Sequence, residues 1–408
     1  MTLRQSSNPA GQDSVAVRQP SGEAPRAIVA GALANKPGNG GEAWVRLSWL
    51  AGLARLGFRV LFLEQIRAAA CVDDAGRPTG FAESTNRRWF RELVNAFGLS
   101  GSACLVCDDG QTEGLTVSEV LEQSDGAVIL VNISGHLRSA SILSRARCRV
   151  FIDIDPGFTQ FWHMQGVGAR LEGHDHYFTI AESLGKRGCS IPSVGIPWKT
   201  MRQPVVLDWW PVEAVPAGAT FTTVATWRCP SGAITASGHT FSQKHHQFRR
   251  YADLPALARR NFQAALDIHP SDRCDADSLT TGGWDVVDAR TVAADPFAFR
   301  RYIQGSLAEF SVAQGVYVET KSGWFSDRSV HYLASGRPVL LQETGFSDNL
   351  PVGSGLVPFE DIDGAVRGVK DICARYAEHS EAARDLALRY FASDVVLGGF
   401  LDEVGASP

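Results

Sequence analysis

ETKSGWFSDRSVHYLASGRPVLLQETGF, Glu319–Phe346, is the stretch on which the reading of this chain turns. The apolar run Val316, Tyr317 and Val318 leads into it as a strand and reaches a glycine turn at Ser322-Gly323. A polar start, Ser326-Asp327-Arg328-Ser329, then opens a helix whose apolar positions include Val330, Leu333 and Ala334. Gly336 and Pro338 close that helix, and Val339-Leu340-Leu341 reads as the next buried strand. A strand, a glycine turn and a helix start together offer free backbone N–H groups at a positive dipole end, which suits phosphate. Arg328 lies at the wrong end of the helix for the dipole, because cations favour the other terminus. An anion seated between Arg328 and the amides accounts for it.

Working outward, 408 residues are too many for one compact core, and two domains are expected. Hydrophobic residues at 44% and charged residues at 20% fit an ordinary globular chain. A net charge of -5 gives no sign of a nucleic-acid surface. No apolar run approaches the roughly 20 residues that span a bilayer. Residues 1–25, rich in Ser, Gln, Gly and Pro without an apolar centre, read as a disordered leader. Eight scattered cysteines fit reduced thiols and a cytoplasmic protein. Cys104 and Cys107, three apart in a strand-like run, face opposite sides and cannot share a metal.

From Ala27 onward, short apolar runs alternate with helical stretches. Strands are expected at Ala27–Ala34, Arg59–Glu64, Ala103–Cys107, Ala127–Ile133, Val150–Asp155 and Tyr177–Ile180. The clearest helix runs from Glu42 to Leu56. A proline-rich segment without regular period around Ile196–Gly218 reads as a connection. A second alternation follows, with strands at Thr220–Trp227, Phe262–Ile268, Trp284–Asp288, Val316–Glu319 and Val339–Leu341, and helices near 244–260, 295–304 and 326–335. The fold class is therefore α/β, two Rossmann-like domains facing each other across a cleft. The expected division is 26–205, a linker at 206–218, 219–390, and a C-terminal helix at 391–408 packing back on the first domain.

Ligands of open α/β sheets bind beyond the carboxyl ends of the strands. After the first strand stand Gly38, Gly40 and Gly41, which let a ligand approach the backbone or simply make a tight turn. After the fourth comes His136, suited to a sugar hydroxyl or to base work, and equally to capping a turn. Asp153 and Asp155 share one face at the end of the fifth strand, where Asp-Pro-Gly also forms a turn. Arg228 and Lys244 flank the second half of the cleft as a leaving diphosphate requires, although each alone is ordinary surface charge. Glu343, Thr344 and Gly345 follow the last strand and should reach the cleft too.

On these residues the chain resembles a glycosyltransferase of the GT-B fold. The likeness is strongest over residues 300–346, where a glycine loop, a helix and an ASG-x-PV turn and strand match the donor-binding segment of that superfamily. KPGNGGEAW followed by LAGLARLGFRV is similar to its first glycine loop and helix. The resemblance implies a hexosyltransferase using a nucleoside diphosphate sugar of the UDP-sugar kind, with no other cofactor and no metal, since amides and cations can replace one. It implies donor contacts from Arg228, Lys244, Gly323, Ser326, Asp327, Arg328, Glu343, Thr344 and Gly345. Gly38, Gly40 and Gly41 would serve the acceptor side, a small molecule or glycan, with His136 and Asp155 as catalytic residues. One departure is plain. The paired glutamates of many retaining members are replaced by Gly323 and His331, which leaves ribose recognition to Asp327 or another loop and the stereochemistry open. A sugar-nucleotide epimerase and a non-catalytic nucleotide-sugar or partner-binding protein are the alternative readings, and the sequence leaves oligomeric state unassigned.

Overall fold

The computed structural model describes residues 15–168, 171–229, 232–236 and 238–408. Its first sheet contains β1 (Arg26–Ala30), β2 (Arg59–Ile66), β3 (Ala103–Cys107), β4 (Thr112–Gly114), β5 (Ile129–Ile133), β6 (Cys148–Asp153), β7 (His176–Thr179) and β8 (Lys199–Thr200). They lie in the order β4-β3-β2-β1-β5-β6-β7-β8. Only the β3–β4 pairing is antiparallel. The second half opens with β9 (Phe221–Thr226) and a small hairpin of β10 (Thr235–Ala236) and β11 (His239–Thr240). It continues with β12 (Phe262–Asp267), β13 (Trp284–Asp288), β14 (Ala308–Ser311), β15 (Val339–Gln342) and β16 (Leu356–Phe359). Its sheet is wholly parallel, in the order β13-β12-β9-β14-β15-β16. Both orders reverse direction once, beside β1 and beside β9, and such reversals open ligand crevices.

The central strands are buried on both faces, as in β5, where all five residues are covered, whereas the edge strands β4 and β13 are partly exposed. The helix Gly40–Arg55 starts at Asn39, whose side chain accepts from the Glu42 amide at 3.2 Å, and ends in Arg55, which suits the dipole. Trp44, Leu47, Leu50 and Leu53 of this helix are buried, and Trp44 donates from Nε1 to the carbonyl of Pro296 at 2.9 Å in the other half. Its ring packs on Trp209 and Trp210, with centroids 5.6 and 5.1 Å away. Trp209 and Trp210 belong to the segment expected as a linker, and both are buried. That segment is thus part of a core continuous across both halves, because its aromatic side chains outweigh its prolines in deciding where it lies.

Three other expectations change. Residues 15–25 of the expected leader are not loose: Val15 and Val17 are buried, Val17 donates to the Phe97 carbonyl at 2.8 Å, and the Gln19 side chain brackets the backbone of Val60. Residues 1–14 lie outside the described residues. Val316–Glu319 is not a strand but part of the helix Gly315–Glu319, while the strand is β14. Buried Glu309 breaks the apolar pattern of β14 and hid it. The helical stretch near 244–260 is two short helices, Lys244–Arg249 and Leu254–Ala258, the second ended by Arg259 in the left-handed conformation. The final helix, Ser393–Val404, packs on the first half, with the Phe400 ring edge-on to Trp49 at 5.2 Å and to Phe178 at 5.0 Å.

Candidate active site

A cleft of about 1010 Å³ lies between the two sheets. Its N-terminal wall is built from residues that follow strands: Lys36 after β1, Arg67 after β2, Asp108 after β3, His136 after β5 and Asp155 after β6. The opposite wall carries Tyr317, Trp324 and Asp327. His136 and Asp155, each a candidate base from sequence, both line the cleft.

Their environments push them apart. The Asp155 side chain is exposed to the cleft, but the walls crowded around it desolvate its carboxyl and raise it to about 6, with Lys36 working against the shift and Asp153 adding to it. Burial, together with the Arg46 and Lys36 charges, drives His136 down to about 4. At neutral pH Asp155 is therefore the stronger base and His136 a neutral ring. Asp153 is wholly buried and structural: its carboxylate accepts from Thr159 Oγ1 at 2.7 Å and from Gln160 Nε2 and Thr179 Oγ1 at 2.8 Å. The backbone entering the His136 turn is strained at Ser134, which holds φ 54, while Gly135 takes φ 64 without cost.

Tyr317 and Trp324 form an aromatic wall that sequence reading missed, their rings stacked 4.5 Å apart at 24°. The misassigned strand concealed them, and the short helix is what brings Tyr317 to the cleft. Burial, with Asp155 and Asp153 nearby, holds the Tyr317 hydroxyl well above its ordinary range, so it stays a proton donor.

Along the expected donor segment, Ser326 is the extended residue before the helix Asp327–Ala334, but its hydroxyl makes no cap hydrogen bond. Asp327 opens the helix into the cleft. Lys244 begins its own helix with its amide on Gln314 Oε1 at 2.8 Å, and burial, then the Arg328 charge, lowers its ammonium to about 8.

Arg328 is not free to meet a ligand as expected. It donates from Nε to Glu309 Oε1 at 2.6 Å, from Nη1 to the Val224 carbonyl at 2.5 Å and from Nη2 to Ser311 Oγ at 2.7 Å. Fully buried Glu309 demands such a partner. Gly323, at φ 74, does not cradle an anion either. A Cβ there would lie 2.6 Å from the amide of Ser183, and that amide donates to the Ser322 carbonyl at 3.0 Å. The glycine turn is a seam between the halves.

Gly40 and Gly41 have the same kind of role. A Cβ on Gly40 would meet the Asp295 carbonyl oxygen at 2.1 Å, and one on Gly41 the Phe299 ring at 3.1 Å. Gly38, at φ 78, is a turn residue with open space beside it. Arg228 does not line the cleft; its half-exposed guanidinium forks onto Asp272. Glu343 closes on its own loop, accepting from the Gly345 amide at 2.5 Å and from the Ser347 hydroxyl. Thr344 is buried and donates to the Trp324 carbonyl at 2.6 Å. Gly345 takes the left-handed conformation with the Lys321 carbonyl 3.0 Å from where a Cβ would stand. His331 stacks on Trp210 at 4.4 Å, a packing position rather than a ribose contact.

No protein-family profile matches the sequence, and no curated protein does. Solved structures do match the architecture. An α-glucosyltransferase in complex with UDP and a 13-mer DNA containing an HMU base superposes at a TM-score of 0.57 and 10% identity, covering 94% of this chain and 100% of that one. AviGT4, a glycosyltransferase involved in avilamycin A biosynthesis, gives 0.51 at 14% identity over 93% and 97%. HepE from Anabaena in complex with UDP and glucose gives 0.51 at 12% identity over 93% and 99%. The chain has the GT-B glycosyltransferase fold. At such identities the likeness establishes the architecture, and the activity has to be argued from the cleft.

Proposed function

We propose that this protein is a glycosyltransferase that moves a sugar from a nucleoside diphosphate sugar to an acceptor on the N-terminal wall. The observation that carries the reading is the convergence, across one cleft, of a carboxylate exposed to the cleft and titrating near 6 and a helix start without a side-chain cap. The diphosphate would meet the amides of Asp327 and its neighbours, with Lys244 compensating charge. Tyr317 and Trp324 offer a face on which a sugar ring can lie.

In the reaction the acceptor oxygen bonds to the anomeric carbon as the anomeric carbon–phosphate oxygen bond breaks. The nucleoside diphosphate leaves with the electron pair, and the hydroxyl proton passes to Asp155 in an inverting reaction or to the leaving phosphate in a retaining one. His136 positions the sugar. The reading includes independence of a divalent metal, so EDTA should leave the rate unchanged. Among the described residues no helix is long and apolar enough to cross a membrane.

The test is incubation with labelled nucleoside diphosphate sugars, with and without an acceptor panel. Transfer that requires acceptor, with the product anomer read by NMR, supports the reading. A rearranged sugar nucleotide formed without acceptor overturns it in favour of epimerisation. Tight donor binding with no turnover on any acceptor overturns it in favour of a binding protein.

A further inference from the structure

The N-terminal wall carries four cations, Lys36, Arg46, Arg67 and Arg138, against three carboxylates, Glu42, Asp108 and Asp155, with Asp327 facing them from the opposite wall. Glu42 stands between two cations, paired with Lys36 and 4.0 Å from Arg46. Asp108 accepts from the amide of Ala68 at 2.8 Å. Arg67 and Arg138 line the same wall, are exposed, and meet no carboxylate within ion-pair distance among the described residues. Arg46 is 3% exposed, and its Nε, fully covered, has no hydrogen-bond partner. A buried guanidinium left incompletely paired is costly unless counter-charge arrives from elsewhere. The excess on this wall is one positive charge, located at the two arginines without an ion pair, in a chain of net charge -5.

We propose that the acceptor taken by this wall is a small molecule bearing a phosphate or a carboxylate, its anionic group seated between Arg138 and Arg67 with Arg46 behind them. The proposal rests on the glycosyltransferase reading for the word acceptor, but not for the anion site itself. A single excess charge at two arginines matches one small anionic group and not a polymer of phosphates. Charge-assisted and bidentate contacts from arginine would hold the group while a hydroxyl elsewhere on the molecule faces Asp155.

The experiment is calorimetry on the full chain with glucose, glucose 6-phosphate and glucuronate, each with and without saturating UDP. The expected result is at least tenfold tighter binding of one or both anionic sugars than of glucose. That preference should weaken with added salt, persist with UDP bound, fall about tenfold in Arg138→Ala and Arg67→Ala, and recover in part in Arg138→Lys. The two anionic sugars tell phosphate from carboxylate. Because Arg67 and Arg138 are exposed, both variants should fold, which circular dichroism checks.

Equal binding of all three sugars would overturn the proposal. So would UDP displacing the anionic sugar, which would give the cations to the donor, or a single-stranded oligonucleotide outcompeting it. If an anionic sugar binds but no nucleoside diphosphate does, the anion site stands and the transferase reading falls. If UDP binds and the anionic sugars do not, the reverse holds.

Discussion

Asp155 carries opposite consequences for rate and for stability. Its carboxyl is held near 6 in the folded state, above its ordinary value. Ionising it therefore costs folding free energy, a small cost because the side chain is open to water in the cleft, which grows as pH rises between about 4 and 6 and is complete above that window. As a base it works only when ionised, so kcat/KM of an inverting reaction should fall as pH drops through about 6. Asp155→Asn should lose about 10²- to 10⁴-fold in rate yet melt higher than the natural protein at pH 7.5, with no difference at pH 4. Thermal melts at both values and a pH–rate profile check this; equal melting temperatures at pH 7.5 would contradict it.

The two arginines expected on phosphate make a second residue-scale contrast. Arg328→Ala leaves Glu309 buried without its cation and should cost about 3 kcal/mol in urea unfolding. Arg228→Ala removes a half-exposed pair and should cost less than about 1 kcal/mol. Neither outcome was legible in sequence, because nothing local to Arg328 announces a carboxylate 19 residues earlier as its partner.

At the scale of elements, most of the fold was readable where apolar runs and punctuation agree. β2, β3 and β13 begin at the residues that the pattern names, and the helices at Gly40, Pro296 and Asp327 fall within two residues of expectation. Failures occurred where a buried polar residue interrupted an apolar run, as Glu309 does in β14, or where β-branched residues sat in a short helix, as Val316 and Val318 do. The glycines were recognised as special for the right steric reason but given the wrong neighbour. At Gly40 and Gly323 the closely approaching group is the other half of the chain and not a ligand. Gly40→Ala should accordingly lower stability by about 1–3 kcal/mol, through a methyl driven into the Asp295 carbonyl. Differential scanning calorimetry tests this, and an unshifted transition would argue against the seam.

At the scale of the molecule, the cleft is held by a shared core and not by a loose tether. Trp44, Trp209, Trp210 and Phe299 pack across the join, and the chain crosses back so that Leu397, Phe400 and Leu401 cover the first helix. Deleting residues 393–408 should remove about 5 kcal/mol of apolar burial, comparable to the whole stability of many domains. The truncated chain should bind ANS and unfold at markedly lower urea; an unchanged urea midpoint would contradict the role assigned to this helix. Sequence composition hinted at the terminal helix but could not fix what it covers, since that depends on contacts more than 300 positions apart.

The return of that helix bears on how the protein is made. The first half is split in two along the chain, with the whole second half inserted before its last piece. During synthesis the apolar face around Trp49 stays bare until residues 393–404 have been made and have cleared the ribosome. The nascent first half must wait for its own final helix, and holdase chaperones have their longest opportunity on this one surface.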